Sequence, residues 1–184
     1  MQSRWFGSDR ERRLWGWTAV VVAGIYATLG LAGTIVGLAP EWLPVLVFWG
    51  GFVGTGLTVL TQGLRVRPGG AEVAVVLGVA AVFLMVGVRV GVTVAERTHL
   101  LEYSVVAVFV YEALLERVRS GRAVPAPAVL AVLGTWAVGL LDEGLQAVLP
   151  GRVFDPVDIL FNVLAALLAV GASLVLGAVR RRLD

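Results

Sequence analysis

Residues 126–179 read APAVLAVLGTWAVGLLDEGLQAVLPGRVFDPVDILFNVLAALLAVGASLVLGAV. Two long apolar runs, Ala126–Leu149 and Val157–Val179, are joined by a short turn containing Pro150, Gly151 and Arg152. Each run approaches the roughly 20 residues that carry a helix through about 30 Å of hydrocarbon. Neither run alternates polar and apolar residues as a barrel strand does. A helix, which satisfies its own backbone in lipid, is therefore the predicted element. Polar residues interrupt the runs where they approach the turn: Asp142, Glu143 and Gln146 on one side, Asp158 and Asn162 on the other.

Working outward, four further apolar blocks precede these two: Trp15–Leu38, Leu43–Leu60, Ala71–Val90 and Leu100–Leu115. Proline and glycine punctuate the breaks, at Ala39-Pro40-Glu41, at Arg67-Pro68-Gly69-Gly70 and from Ser120 to Pro127. The prediction is an all-α polytopic transmembrane helix bundle of about six spans. It forms one domain, 1–184, made of an N-terminal three-helix region, 1–92, and a motif-bearing three-helix region, 93–184. Composition agrees, since 58% of the 184 residues are hydrophobic and 15% are charged, against about 25% charged in soluble domains. Cysteine is absent, which excludes a disulfide framework, a thiolate metal site and a cysteine nucleophile. A net charge of +2 gives no footprint for nucleic acid.

Arginine placement orients the bundle. Arg4, Arg10, Arg12 and Arg13 precede the first block, Arg65 and Arg67 follow the second, Arg117, Arg119 and Arg122 follow the fourth, and Arg180, Arg181 and Arg182 follow the sixth. The alternate connections hold Arg89, Arg97 and Arg152. Both termini are thus expected in the cytoplasm, in a multi-pass protein of the cytoplasmic (inner) membrane. The first block is too long for the apolar core of a signal peptide. Glycine pairs at four-residue spacing, Gly33/Gly37, Gly50/Gly54 and Gly87/Gly91, are candidate close-packing points.

In this orientation the polar residues of three segments meet at the outer face. On the fourth segment Glu96-Arg97-Thr98-His99 leads to Glu102 and Tyr103, with His99, Glu102 and Tyr103 on one helical face. On the fifth, Asp142 and Glu143 stand three or four residues before Gln146, and Asp142 lies roughly 10 Å from the Pro150 end. On the sixth, Asp155, Asp158 and Asn162 step along one face, with Arg152 in the preceding turn. Ionisable residues in or beside a bilayer are costly and usually functional. Two roles fit: arginine–carboxylate pairs that pin three helices together, or an outward-facing polar pocket for a headgroup, an ion or a peptide. Zinc is disfavoured with a single histidine, while a hard cation could use Glu102, Asp142, Glu143 and Asp158. Glu116 is expected to pair with a nearby arginine, and Glu112 to serve structure. No cofactor is expected.

The order and spacing of these residues resemble the VanZ-like family of bacterial membrane proteins. The family's first signature, an acidic–basic pair followed by His and an aromatic, is similar to Glu96-Arg97-Thr98-His99 through Tyr103. Its second, an acid, a Gln, an Arg in a turn, then Asp and Asn, is similar to Asp142 through Gln146, Arg152, Asp158 and Asn162. The chain departs from the family in carrying Glu-Arg where Asp-Lys is common, and Ala165 and Ala169 where glycines often follow the Asn. The resemblance covers the second half of the chain. It implies an envelope role like that of the namesake, which is associated with resistance to the glycopeptide teicoplanin, without implying a reaction.

The expected function is a non-enzymatic membrane protein that takes a polar, lipid-linked or glycopeptide ligand at the outer face. Arg97, His99 and Arg152 would hold anionic groups. Glu102, Asp142, Glu143 and Asp158 would orient those cations or accept hydrogen bonds from the ligand, and Tyr103, Gln146 and Asn162 would line the same pocket. The expected partners are the bilayer, that ligand and a membrane-protein partner, without nucleic acid. An intramembrane hydrolase or transferase using His99, and an accessory subunit of a larger complex, are the alternatives.

Overall fold

In a computed structural model the described residues are 5–29, 70–89, 94–149 and 154–183, with Pro40, Trp42, Leu43, Leu46, Gly50 and Val53. They form five main helices and no strand: α1 Asp9–Leu29, α2 Gly70–Arg89, α3 Val94–Arg119, α4 Pro127–Gln146 and α5 Pro156–Leu183. The expected second block, 43–60, falls almost wholly outside the described residues, as do Arg152 and most of the glycine pairs. The all-α expectation holds for the described part.

Helix ends follow local chemistry rather than the edges of the apolar blocks. α1 starts six residues before Trp15 because Ser8 caps it: Glu11 N donates to Ser8 Oγ at 3.1 Å. Glu11 reaches back to accept from Gly7 N at 2.6 Å, a variant of the reciprocal capping box. α3 was expected as the shortest segment, over 100–115, and instead runs 26 residues. Its charged ends propagate the helix because Glu, Arg and Leu are good helix formers. It stops at Gly121, whose φ of +80° lets Gly121 N and Arg122 N close back on Val118 O and Arg117 O, the Schellman arrangement. α4 opens with Pro127 at its start, after Ala126 in the left-handed region at φ 41°. α5 is capped by Asp155, whose Oδ1 accepts from Val157 N at 2.8 Å.

α3 is the central helix, packed against α1, α4 and α5, while α2 lies against α5. The core is built on Val106, Ala107, Val110 and Leu114 of α3, facing Ala166, Ala169 and Val170 of α5, Ala131 of α4 and Ile25 of α1. Small alanine faces let these backbones approach closely. α3 is the enclosed helix, with most of its residues from Leu100 to Leu114 buried. α4 and α5 are the two described helices long and apolar enough to cross a membrane. They turn Leu133, Trp136, Leu141, Leu160, Leu167 and Leu174 outward.

At one end of the bundle, charges tie α1 to α3. Arg10 donates to Glu116 at 2.9 Å and to Glu112 at 3.0 Å, and Arg117 Nε donates to the fully buried Glu11 at 2.8 Å. Gly7 lies so close to Ser120 that a β-carbon there would stand 2.6 Å from the Ser120 Cβ. On the other flank Arg180 Nε donates to Glu72 at 3.0 Å, linking α5 to α2. Glu112 and Glu116 thus serve structure, as expected, through an arginine of α1 as well as one of their own helix.

Candidate functional site

The opposite end of the bundle carries a buried polar layer. α4 presents one stripe inward: Ala131, Thr135, Gly139, Asp142, Glu143 and Gln146 are all buried. These positions recur at three- and four-residue steps, so they share one face. Because α3 and α5 run antiparallel to α4, the C-terminal part of that stripe meets the first turns of both. Tyr103 and Ser104 of α3 and Asn162 of α5 are buried there as well. From Asn162 to Arg180 on α5 is about 27 Å at 1.5 Å per residue, so the polar layer and the arginine-rich end lie roughly one hydrocarbon thickness apart.

Hydrogen bonds organise the layer. Gln146 Nε2 donates to Glu143 Oε1 at 2.9 Å and makes a longer contact of 3.5 Å with Asp142 Oδ2. Glu143 Oε2 accepts from Asp155 N at 2.9 Å. One carboxylate therefore joins the end of α4 to the cap of α5. Tyr103 of α3 lies close to Asp142 of α4 within the layer. Ser104 Oγ donates back to Leu100 O at 2.6 Å and lies 3.5 Å from Ala165 O.

Asn162 differs from Glu143 and Gln146 in this respect. It is fully buried, yet neither Oδ1 nor Nδ2 has a hydrogen-bond partner among the described residues. It lies against Gly139, where a β-carbon would stand 2.7 Å from Asn162 Nδ2. Thr135 Oγ1, one turn before Gly139 on α4, is likewise buried without a described partner. An unmet buried polar group costs about 1–3 kcal/mol, and such groups in folded proteins call for an explanation.

Of the residues expected at the site, Tyr103, Asp142, Glu143, Gln146 and Asn162 come together as buried members of the layer. Glu102 and Asp158 sit at its edge, partly exposed on α3 and α5. Arg97 and His99 occupy helical positions one turn or more before Tyr103. Their side chains, and the whole of Arg152, lie outside the described residues. Asp155 is a helix cap and a partner of Glu143. Three residues of the layer were not anticipated: Thr135, Gly139 and Tyr26, whose hydroxyl donates to Val138 O at 2.8 Å. The three- and four-residue steps of Thr135 and Gly139 towards Asp142 and Glu143 were a readable signal. Tyr26 had none, since its arrival depends on how α1 packs.

Carboxylates and amides dominate the described part of the layer, which suits hydrogen-bond donors or a cationic group approaching from the α4–α5 turn. Comparison with known proteins returns no matching family profile, no matching curated protein and no matching solved structure.

Proposed function

We propose that this chain is a multi-pass protein of the cytoplasmic membrane, with about six spans and both termini in the cytoplasm. In this proposal the polar layer of α3, α4 and α5 opens to the outer face and binds a polar or lipid-linked envelope ligand, as the VanZ-like resemblance implies. The observation that carries it is Asn162, a fully buried amide whose two polar atoms lack partners among the described residues. A binding site presents polar groups that its ligand completes. Arg152, which lies between α4 and α5 in the sequence, would meet an anionic part of the ligand, and Tyr103, Asp142, Glu143 and Gln146 would hold the surrounding geometry. The outward apolar faces of α4 and α5 support membrane residence. The roughly one-bilayer separation between layer and arginine-rich end supports opposite membrane faces.

The test is mass spectrometry of what co-purifies with the protein in mild detergent, with wild type beside Arg152→Ala and Asn162→Leu. A lipid-linked or glycopeptide species is expected with wild type and lost from both folded variants. Equal retention in all three would overturn the proposal. Turnover of an added lipid-linked substrate would assign an intramembrane hydrolase or transferase instead, and a stoichiometric protein partner an accessory subunit.

A further inference from the structure

At the arginine-rich end, away from the polar layer, α2, α3 and α5 enclose a cavity of about 220 Å³. Val79, Val108 and Leu176 form its apolar wall, and Arg119, Arg180 and Arg181 line it together with Glu112. Arg180 is held by Glu72, whose side chain is only 3% exposed. The Nη2 of the same guanidinium is buried and has no hydrogen-bond partner among the described residues. Arg181 folds back along α5: a β-carbon at Gly177 would stand 3.7 Å from its Nη1. A second, apolar cavity of about 370 Å³ adjoins the first, sharing Val75, Val79 and Ala172. It runs between α2 and α5 past Gly78 and Gly171.

We propose that these adjoining cavities bind one anionic glycerophospholipid, with its phosphodiester at Arg180 and Arg181 and an acyl chain in the groove between α2 and α5. Guanidinium groups match phosphate oxygens with paired donors, and the unmet Nη2 of Arg180 is such a donor. Charge selects the ligand. The described groups in and around the cavity are Arg10, Arg119, Arg180 and Arg181 against Glu72, Glu112 and Glu116. One positive charge remains, which balances the single negative charge of a phosphodiester. Volume points the same way. The basic cavity is smaller than the about 300–1,000 Å³ that encloses a whole organic ligand, so it takes a headgroup while the chain occupies the apolar neighbour. Basic pockets between membrane helices bind anionic headgroups for this reason.

The experiment titrates the full-length protein in mild detergent with phosphatidylglycerol, phosphatidylcholine or inorganic phosphate and reads bound species by native mass spectrometry. Wild type is compared with Arg181→Gln and Gly78→Leu. Nothing lies within 4 Å of a β-carbon at Gly78, so the leucine fills the groove without a backbone clash. The expected result is one phosphatidylglycerol per chain, preferred over phosphatidylcholine. Arg181→Gln should lower phosphatidylglycerol binding about fivefold, the weight of one arginine near an anionic surface, and leave phosphatidylcholine unchanged. Gly78→Leu should weaken both lipids. If Gly78→Leu does not fold, Gly171→Leu, whose β-carbon position is equally open, takes its place. Equal binding of the two lipids by wild type, displacement of phosphatidylglycerol by equimolar phosphate, or unchanged binding by both variants would each overturn the proposal.

Discussion

Gly139 of α4 and Asn162 of α5 approach so closely that a β-carbon on the glycine would stand 2.7 Å from the amide nitrogen of the asparagine and 3.0 Å from its Cβ. A larger residue at position 139 would therefore force the Asn162 side chain or the helix crossing to shift. Close packing and an unmet amide coincide at one point.

Gly139→Ala should destabilise the protein by about 1–3 kcal/mol, the usual cost of overpacking. The gain in helix propensity, about 1 kcal/mol, offsets only part of it. Thermal unfolding in detergent checks this. In a double-mutant cycle with Asn162→Ala the pair should couple by about 0.5–3 kcal/mol; additive effects would mean that the contact is relaxed.

Asn162→Leu should leave stability unchanged or raise it, because an amide without described partners is replaced by an apolar side chain. Ligand retention should fall at the same time, the trade-off expected where a binding group is kept against stability. A loss of several kcal/mol on unfolding would instead assign Asn162 a structural hydrogen bond.

Glu143 and Asp155 should separate by size of effect. Glu143→Ala removes an acceptor from both Gln146 and the Asp155 backbone and should cost about 1.5–3 kcal/mol, as for hydrogen bonds to charged groups. Asp155→Ala removes one helix cap and should cost about 1 kcal/mol. Parallel urea or thermal titrations read the difference.

Acid should loosen the α1–α3 junction. Burial pushes the Glu116 carboxyl upward, but its hydrogen bonds to Arg10 and Ser8 and the charges of Arg10 and Arg119 outweigh burial and hold it below the ordinary glutamate range. The same carboxylates keep Arg10 more basic than usual against its own desolvation. A depressed carboxyl contributes stability that is fully present above its unfolded value and is lost as pH falls through the folded one. Thermal stability should therefore be flat from neutrality to about pH 5 and decline below it. Glu116→Gln should start lower at neutral pH and flatten that decline.

Much of the helix content was legible beforehand, for identifiable reasons. The expected blocks 71–90, 126–149 and 157–179 lie within a few residues of α2, α4 and α5. There, long apolar runs are bounded by Pro127, Pro156 and Gly70, residues whose backbone properties mark helix ends. α3 was underestimated because apolar content measures fitness for lipid, and this helix faces protein: Tyr103, Val106, Ala107 and Ala113 are wholly buried. Five of the ten expected site residues are buried together, since helical periodicity placed them on facing stripes. The expected arginine pairs of the layer lie on side chains outside the described residues.

Sequence alone determined that these segments are helices, that α4 and α5 are apolar enough for a membrane, and that polar residues gather at one end of three of them. Those properties are local: hydrophobic run length, the period of 3.6 residues, and proline or glycine at the ends. Tertiary structure decided that α3 is the enclosed helix, that Tyr26 joins the layer from α1, that Arg180 reaches Glu72, and that Gly139 meets Asn162. Such contacts depend on the rotation and depth of one helix against another. Packing of side chains far apart in the chain sets both, and no local pattern encodes either.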